Sequence, residues 1–243
     1  MKNEQQWKAT KFVQRGKNWV PSPDPRMVGR GSRLIAGLQI KTYQRLLEQY
    51  ASGLLIDLGC GNAPLYGIYR SKAESVVCVD WPNSAHAISY VDIEHDLNKP
   101  IPLEAAMADT IVLTDVFEHI ARPALLWSEV ARLLKPGGHV IVTVPFYYRL
   151  HEEPFDFHRY TSHMLRTFCA DNSLEVIELE PYGGLPEIFG DLSGKVVAGI
   201  PGISQLHLAL FRATISLGLV KRWSKKTGRH YPLGYSLVAS KPK

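Results

Sequence analysis

The stretch Leu54-Leu-Ile-Asp-Leu-Gly-Cys-Gly-Asn62 constrains this chain more than any other. Four apolar residues interrupted by Asp57 read as a short buried strand that runs straight into Gly59-Cys-Gly61, with a helix predicted after it. A parallel-sheet strand ending in a glycine turn lets backbone approach a ligand closely, and the next helix offers its free N–H groups there. The pattern reads as a crevice for a nucleotide-type cofactor. A dinucleotide G-x-G-x-x-G would need its third glycine at position 64, which is Pro64, and this disfavours NAD. Ser75-Val-Val-Cys-Val-Asp80 is a second apolar strand, and Asp80 lies 21 residues after Gly59, where an acid can accept both ribose hydroxyls. Trp81 beside it is open between packing on adenine and serving as a core or rim tryptophan.

A third apolar strand, Ala108-Asp-Thr-Ile-Val-Leu-Thr-Asp115, is followed by Val-Phe-Glu-His-Ile120, a helix starting at Pro123, Lys135-Pro-Gly-Gly138 and the strand His139–Pro145. With these motifs the chain resembles the class I S-adenosylmethionine-dependent methyltransferases, in particular the small type 11 group. The resemblance is carried by Asp57-Leu-Gly-Cys-Gly61, Asp80, Asp96-Leu97, Asp115-Val-Phe-Glu-His-Ile120 and Leu134-Lys-Pro-Gly-Gly138, and covers about positions 34–180. It implies S-adenosyl-L-methionine as cofactor, with contacts from Asp57, Gly59, Cys60, Gly61, Asp80, Trp81, Asp96, Leu97, Thr114 and Asp115. Asp96 would meet the adenine amino group and Leu97 would offer backbone and apolar contact; the plainer reading of Asp96 is a turn or cap residue before Asn98-Lys-Pro100.

Alternating strands and helices imply an α/β fold with a parallel sheet covered on both faces. The resemblance implies a doubly wound, mostly parallel, seven-stranded Rossmann-like sheet whose seventh strand is inserted antiparallel. Residues 1–32 read as a loop-rich arm, broken by Pro21-Ser-Pro-Asp-Pro25 and Gly29-Arg-Gly31, and residues 33–243 as the methyltransferase domain. Helices are predicted over Arg33–Tyr50 with Ser32 as cap, over Asn62–Arg70, and from Thr161-Ser162 onward; strands are predicted at Ile88–Ile93, Leu174–Leu179 and Gly234–Ala239. Glycine-rich breaks mark an apolar helical insertion at about 183–230.

The net charge of +5 conceals a division. Residues 1–33 hold eight Lys/Arg against two acids, residues 221–243 hold seven and no acid, and the middle has 13 against 21. Basic ends suit an anionic surface, or serve solubility alone. Three widely spaced cysteines, Cys60, Cys78 and Cys169, form neither a disulfide framework nor a metal motif. With no apolar core in Met1-Lys-Asn-Glu-Gln-Gln-Trp7, a cytoplasmic protein is expected.

The acceptor side is expected in Phe146-Tyr-Tyr-Arg-Leu-His-Glu-Glu-Pro-Phe-Asp-Phe-His-Arg-Tyr160, which follows the fifth strand and so reaches the cofactor's end of the sheet. Methyl transfer from a sulfonium mainly needs alignment, and an oxygen or nitrogen acceptor adds the need for a base. His151 is the first choice for that base and His119 the second; each has a plainer reading as a loop-fixing or packing residue. Phe146 and Tyr147 are candidate acceptor contacts, and Asp156 with Arg159, three apart, are expected to pair and shape the loop. His151, Glu152, Asp156 and His158 match no ligand motif, so no metal is expected. A similar run in some related methyltransferases points to a sugar-like hydroxyl.

The leading reading is therefore methylation of a hydroxyl on a small molecule or glycan. An RNA methyltransferase is an alternative, although no recognisable RNA-binding module is present and nucleic acid is disfavoured. A non-catalytic cofactor-binding or scaffold protein is another. Val196–Val220 carries one formally charged side chain, Arg212, and leads into Lys221-Arg-Trp-Ser-Lys-Lys226. A helix apolar nearly all round must be buried in protein or lipid. Residues 196–226 are open between a pocket lid, a homodimer contact and peripheral docking on the inner face of a membrane.

Overall fold

The computed structural model describes residues 1–83 and 89–243. In chain order the elements are β1 (Phe12–Arg15), β2 (Asn18–Pro21), α1 (Arg33–Tyr50), β3 (Gly53–Leu58), α2 (Tyr66–Tyr69), β4 (Ala73–Asp80), β5 (Ile93–Glu94), β6 (Ala108–Thr114), α3 (Pro123–Leu133), β7 (Leu134–Pro145), α4 (Ser162–Asp171), β8 (Glu175–Tyr182), α5 (Leu185–Val196), α6 (Pro201–Ser216), α7 (Gly218–Thr227) and β9 (Gly234–Ser240). They divide into two compact units. The first comprises residues Met1–Lys8, Arg45–Glu180 and Tyr235–Lys243, the second Ala9–Gln44 and Pro181–Gly234.

The main sheet has the order β5-β4-β3-β6-β7-β9-β8. The strands β5, β4, β3, β6 and β7 pair in parallel. The chain steps outward from β3 through β4 to β5, then returns to the other side of β3 for β6. That reversal makes a switch point at the carboxyl ends of β3 and β6, where open α/β sheets place their ligands. β9 runs against β7: Gly137 N donates to Lys241 O at one end (2.7 Å), while Phe146 meets Tyr235 at the other, ring centroids 5.9 Å apart. The inserted last strand thus has the antiparallel direction that the resemblance implies.

A large apolar core supports this sheet. Ile56, Leu58, Ile111, Leu113, Val140 and Val142 meet Leu126, Trp127 and Val130 of α3 and Leu165 and Phe168 of α4. Pro123 opens α3, as a fixed φ and a missing N–H allow in a first turn. Thr161 Oγ1 caps α4 by accepting from Met164 N at 3.2 Å. At the functional end, Phe117 is wholly buried, stacks on Tyr160 at 4.6 Å and touches Trp127 and Phe168. Truncating such a ring to alanine costs about 3–5 kcal/mol, so Phe117 anchors the segment that carries Glu118 and His119.

Several local expectations are corrected. The helix expected over 62–70 is only Tyr66–Tyr69. Ala63 N bonds back to Cys60 O and Ala63 takes φ +49°, which turns the chain before Pro64. Lys135-Pro-Gly-Gly138 does not separate helix from strand: β7 begins at Leu134, paired to Ala108, and a register shift before Thr110 absorbs the irregularity. Ser32 lies inside a 3-10 turn, Arg30–Ser32, that runs into α1. Of the strand expected at Ile88–Ile93, Ile88 lies outside the described residues, and pairing is confined to Ile93–Glu94.

In the second unit, the arm read as loop-rich holds the antiparallel hairpin β1–β2, turned at Gly16-Lys17 with Gly16 at φ +61°. The α5 helix crosses closely over Leu34 and Phe211, because Gly190 has no side chain; a Cβ there would lie 2.5 Å from Leu34. A cavity of about 600 Å³ in this unit is lined by Trp19, Leu34, Leu208, Ile215, Arg33 and Arg212. The single apolar helix expected across 196–220 is instead two, α6 and α7, bent by 85° at Leu217. Among its residues α6 buries only Ser204, so its apolar side chains are not covered within this chain.

Candidate functional site

β3 delivers Gly59 and Gly61 to the crevice in left-handed conformations, φ +74° and +53°. Gly59 N donates to Val79 O at 2.8 Å, which folds the turn back onto β4. A Cβ on Gly59 would lie 2.4 Å from a Val116 methyl. Glycine is therefore required for both reasons, backbone angle and space. Asp80, 7% exposed at the end of β4, accepts from Gly61 N through Oδ2 and from Trp81 N through Oδ1 at 2.6 Å. A carboxylate offers about four acceptor positions, so these bonds are compatible with further hydrogen bonds from ribose hydroxyls.

Asp57 stands behind the turn and accepts the Tyr69 hydroxyl at 2.7 Å. Burial pushes its carboxyl up to about 7, against the Tyr69 bond and with the help of Asp80. Cys60 is buried; a hydrogen bond with Cys78 and burial push its thiol up, which leaves a small inert side chain rather than a nucleophile. Asp96 caps a turn, accepting from Asn98 N and Nδ2 at 3.0 Å each, with Lys99 Nζ 3.6 Å away. Burial would raise its pKa, and these bonds outweigh it and lower it. The Leu97 side chain is packed in the core. Thr114 closes β6, and Asp115 follows at φ +52°, its N–H on Thr143 O at 3.0 Å and its Oδ1 accepting from Thr143 Oγ1 at 3.2 Å.

The loop after β7 folds over this end of the sheet. Phe155 meets Trp81 edge-on at 4.9 Å, and its carbonyl lies 2.9 Å from His119 Nδ1. Phe157 N and His158 N both donate to Glu118 O, at 2.9 and 3.2 Å. Asp156 is nearly buried and takes a bidentate bond from Arg159, with Nη2 at 2.8 Å, and another from His151 N at 3.0 Å. The Arg159 guanidinium holds the Asp156 carboxyl well below its usual range. Phe146 and Tyr147 pack on each other at 5.3 Å, with Tyr147 exposed.

The loop thereby brings His151 to His119, ring centroids 4.7 Å apart, and both to Glu118. Glu118 Oε1 lies 3.7 Å from His151 Nε2 and 3.8 Å from His119 Nε2. Glu118 is fully buried, and burial raises its pKa. For His151, burial works to lower the pKa, and the neighbouring Glu118, Asp156 and Glu152 carboxylates outweigh it and raise it. This polar centre sits beside Val116, the residue Gly59 packs against, so it adjoins the glycine turn.

Residues 56–142 match the family model described as "Methyltransferase domain". A candidate S-adenosylmethionine-dependent methyltransferase of Mycolicibacterium smegmatis is 31% identical over 142 residues, 53% of this chain and 54% of that protein. Over this region the chain is similar to S-adenosylmethionine-dependent methyltransferases, and its sheet has their Rossmann-like order. The chain spans about half the length of the curated relatives it matches. Among solved structures, a candidate methyltransferase of Bacillus halodurans superposes with a TM-score of 0.54 at 15% identity, covering 82% of this chain and 99% of that one. The [4+2]-cyclase SpnF superposes at 0.53 and 17% identity, covering 92% and 98%. The two likenesses establish the fold, and the second shows that the fold alone does not dictate the reaction.

Within the first unit the structure gathers Gly59, Cys60, Gly61, Asp80 and Trp81 at the glycine turn and His119 and His151 at the adjoining polar centre. Sequence reasoning missed four contributors: Val116 against the turn, Tyr69 on Asp57, Phe155 between Trp81 and His119, and Glu118 between the two histidines. Val116 and Glu118 lie in the Asp115–Ile120 motif and Phe155 in the Phe146–Tyr160 run already singled out, while Tyr69 carried no signal.

Proposed function

We propose that this protein transfers a methyl group from S-adenosyl-L-methionine to a hydroxyl of a small molecule or glycan. The observation that carries the reading is the glycine turn tied to Asp80 beside the switch point. The Gly59–Gly61 backbone and the space a Gly59 Cβ would fill suit close approach of a cofactor, and Asp80 supplies acceptors for ribose. Trp81, with Phe155 against its edge, forms the outer wall; Thr114 and Asp115 line the β6 side, and Asp57 supports the turn from behind. The cofactor supplies a methyl group already activated on a positively charged sulfur. The domain's task is then alignment, which in well-oriented systems is worth on the order of 7–11 kcal/mol. Phe146 and Tyr147 offer faces on which a sugar-like acceptor can rest, Arg159 and Asp156 hold the loop, and the centre formed by Glu118, His119 and His151 takes up the acceptor's proton. The test is incubation of the chain with methyl-labelled adenosylmethionine and fractionated cell extract. Label in a hydroxylated metabolite or lipid-linked glycan supports this acceptor class; label in RNA or protein overturns it.

The second unit supports a peripheral place at an anionic membrane. Leu206, Leu210, Leu217 and Leu219 are between 57% and 79% exposed, Trp223 is 47% exposed, and Lys221, Arg222, Lys225 and Lys226 follow on α7. Apolar side chains, an interfacial tryptophan and a basic cluster form the combination that binds anionic bilayers. No single described helix is long and apolar enough to cross a membrane. The chain is expected to float with phosphatidylglycerol vesicles at low salt and not with phosphatidylcholine vesicles. Salt should weaken the association, and changing the four basic residues to Glu should abolish it. Absence from anionic vesicles at low salt, or dimerisation through this face, contradicts the membrane reading.

A further inference from the structure

Glu118 is a carboxylate with no exposed surface, and neither of its oxygens has a hydrogen-bond partner. Buried charges are ordinarily paired, hydrogen-bonded or bound to metal. Two imidazoles face it. Glu118, His119 and His151 each offer one ligand atom, and these lie within 4.8 Å of one another. The two nearest separations, 3.7 and 3.8 Å, exceed a hydrogen bond. They approach the roughly 3–3.5 Å between neighbouring donor atoms around an ion with bonds of about 2.0–2.2 Å.

We propose that Glu118, His119 and His151 bind one divalent transition-metal ion. The groups behind each imidazole fit ligation. His119 Nδ1 lies 2.9 Å from Phe155 O, and because a carbonyl can only accept, Nδ1 carries the proton and the Nε2 lone pair points at Glu118. His119 Nε2 is itself buried with no other partner. His151 Nδ1 lies 3.1 Å from Asp156 Oδ2, near enough for a backing carboxylate although not aligned as a hydrogen bond. Ligating histidines commonly carry such a backing carbonyl or carboxylate, which fixes the tautomer and ring orientation. Glu152 Oε2, half exposed, lies 3.8 Å from His119 Nε2 at the edge of the group.

Two imidazoles and a carboxylate suit zinc, manganese, iron or cobalt and are poorly suited to magnesium. Three protein ligands leave coordination positions open, and a hydroxyl bound there loses its proton more readily. That last role rests on the proposed methyl transfer; the binding of the ion does not. With the ion present, His151 acts as a ligand and the ion lowers the acceptor's pKa.

The experiment uses the full chain without an affinity tag, stripped with chelator and titrated separately with Zn²⁺, Co²⁺ and Mg²⁺. Elemental analysis after dialysis is expected to show about one Zn²⁺ per chain, and Co²⁺ to give visible absorption typical of mixed nitrogen and oxygen ligation. Glu118→Gln, His119→Ala and His151→Ala should each weaken Zn²⁺ binding at least 100-fold; the two histidine changes serve if the buried Gln variant fails to fold. Circular dichroism confirms folding, and adenosylmethionine binding measured without metal reports the cofactor site separately. A folded chain that takes up neither Zn²⁺ nor Co²⁺, or whose uptake survives the histidine substitutions, overturns the site. In that case the cofactor reading stands on its own measurement.

Discussion

In chelator-treated protein, His151→Ala is expected to lower turnover about 10²–10⁴-fold, the range contributed by a positioned proton-transfer group. Adenosylmethionine affinity should stay within a few-fold of the unaltered protein, because His151 reaches Glu118 and Asp156 and not the glycine turn. The separation is what makes the test informative. A loop-fixing histidine would leave catalysis within a few-fold once the loop is formed, and Asp156 keeps its bidentate bond to Arg159 whether or not the imidazole is present. Single-turnover rates with an identified acceptor, beside calorimetric cofactor binding, give both numbers. Equal losses in the two would move His151 from proton transfer to general integrity of the site.

Gly59→Ala is expected to damage the cofactor site itself. Left-handed φ costs a non-glycine residue about 1–2 kcal/mol. The new Cβ would also overlap the Val116 methyl groups, at 2.4 and 2.6 Å. Overpacking of this kind adds about 1–3 kcal/mol, and the turn cannot shift without breaking Gly59 N to Val79 O or Gly61 N to Asp80. Cofactor affinity should fall about 100-fold or more, with a melting temperature several degrees lower. Adding Val116→Ala removes the overlap but not the backbone cost, so the pair should recover part of the loss. Full recovery would mean that only space mattered; no change from Gly59→Ala alone would contradict the turn as drawn.

What could be read from the residues follows from where local chemistry dictates structure. The β3 strand with its glycine turn, Asp80 at the end of β4, the Pro123 helix and the Thr161 cap each announce themselves through periodicity, a special backbone angle or a capping hydroxyl. The short α2 helix was hidden because a left-handed Ala63 has no signature comparable to glycine. The hairpin was hidden among prolines and glycines that read as breaks, although Gly16-Lys17 between Phe12-Val13 and Trp19-Val20 is a turn signal. The exposure of α6 was illegible because an apolar helix pattern cannot say what covers it. The Glu118 centre depends on Phe157 and His158 donating to Glu118 O across 39 and 40 residues of chain, a long-range pairing that no spacing rule encodes.

The central claim is that the β3 turn and Asp80 hold adenosylmethionine, and calorimetric titration of the folded chain tests it most directly. The account predicts one cofactor bound per chain and a loss of about 1.5–3 kcal/mol, roughly 10- to 150-fold, in Asp80→Ala. No binding to the unaltered chain, or equal affinity in a folded Asp80→Ala protein, would contradict it.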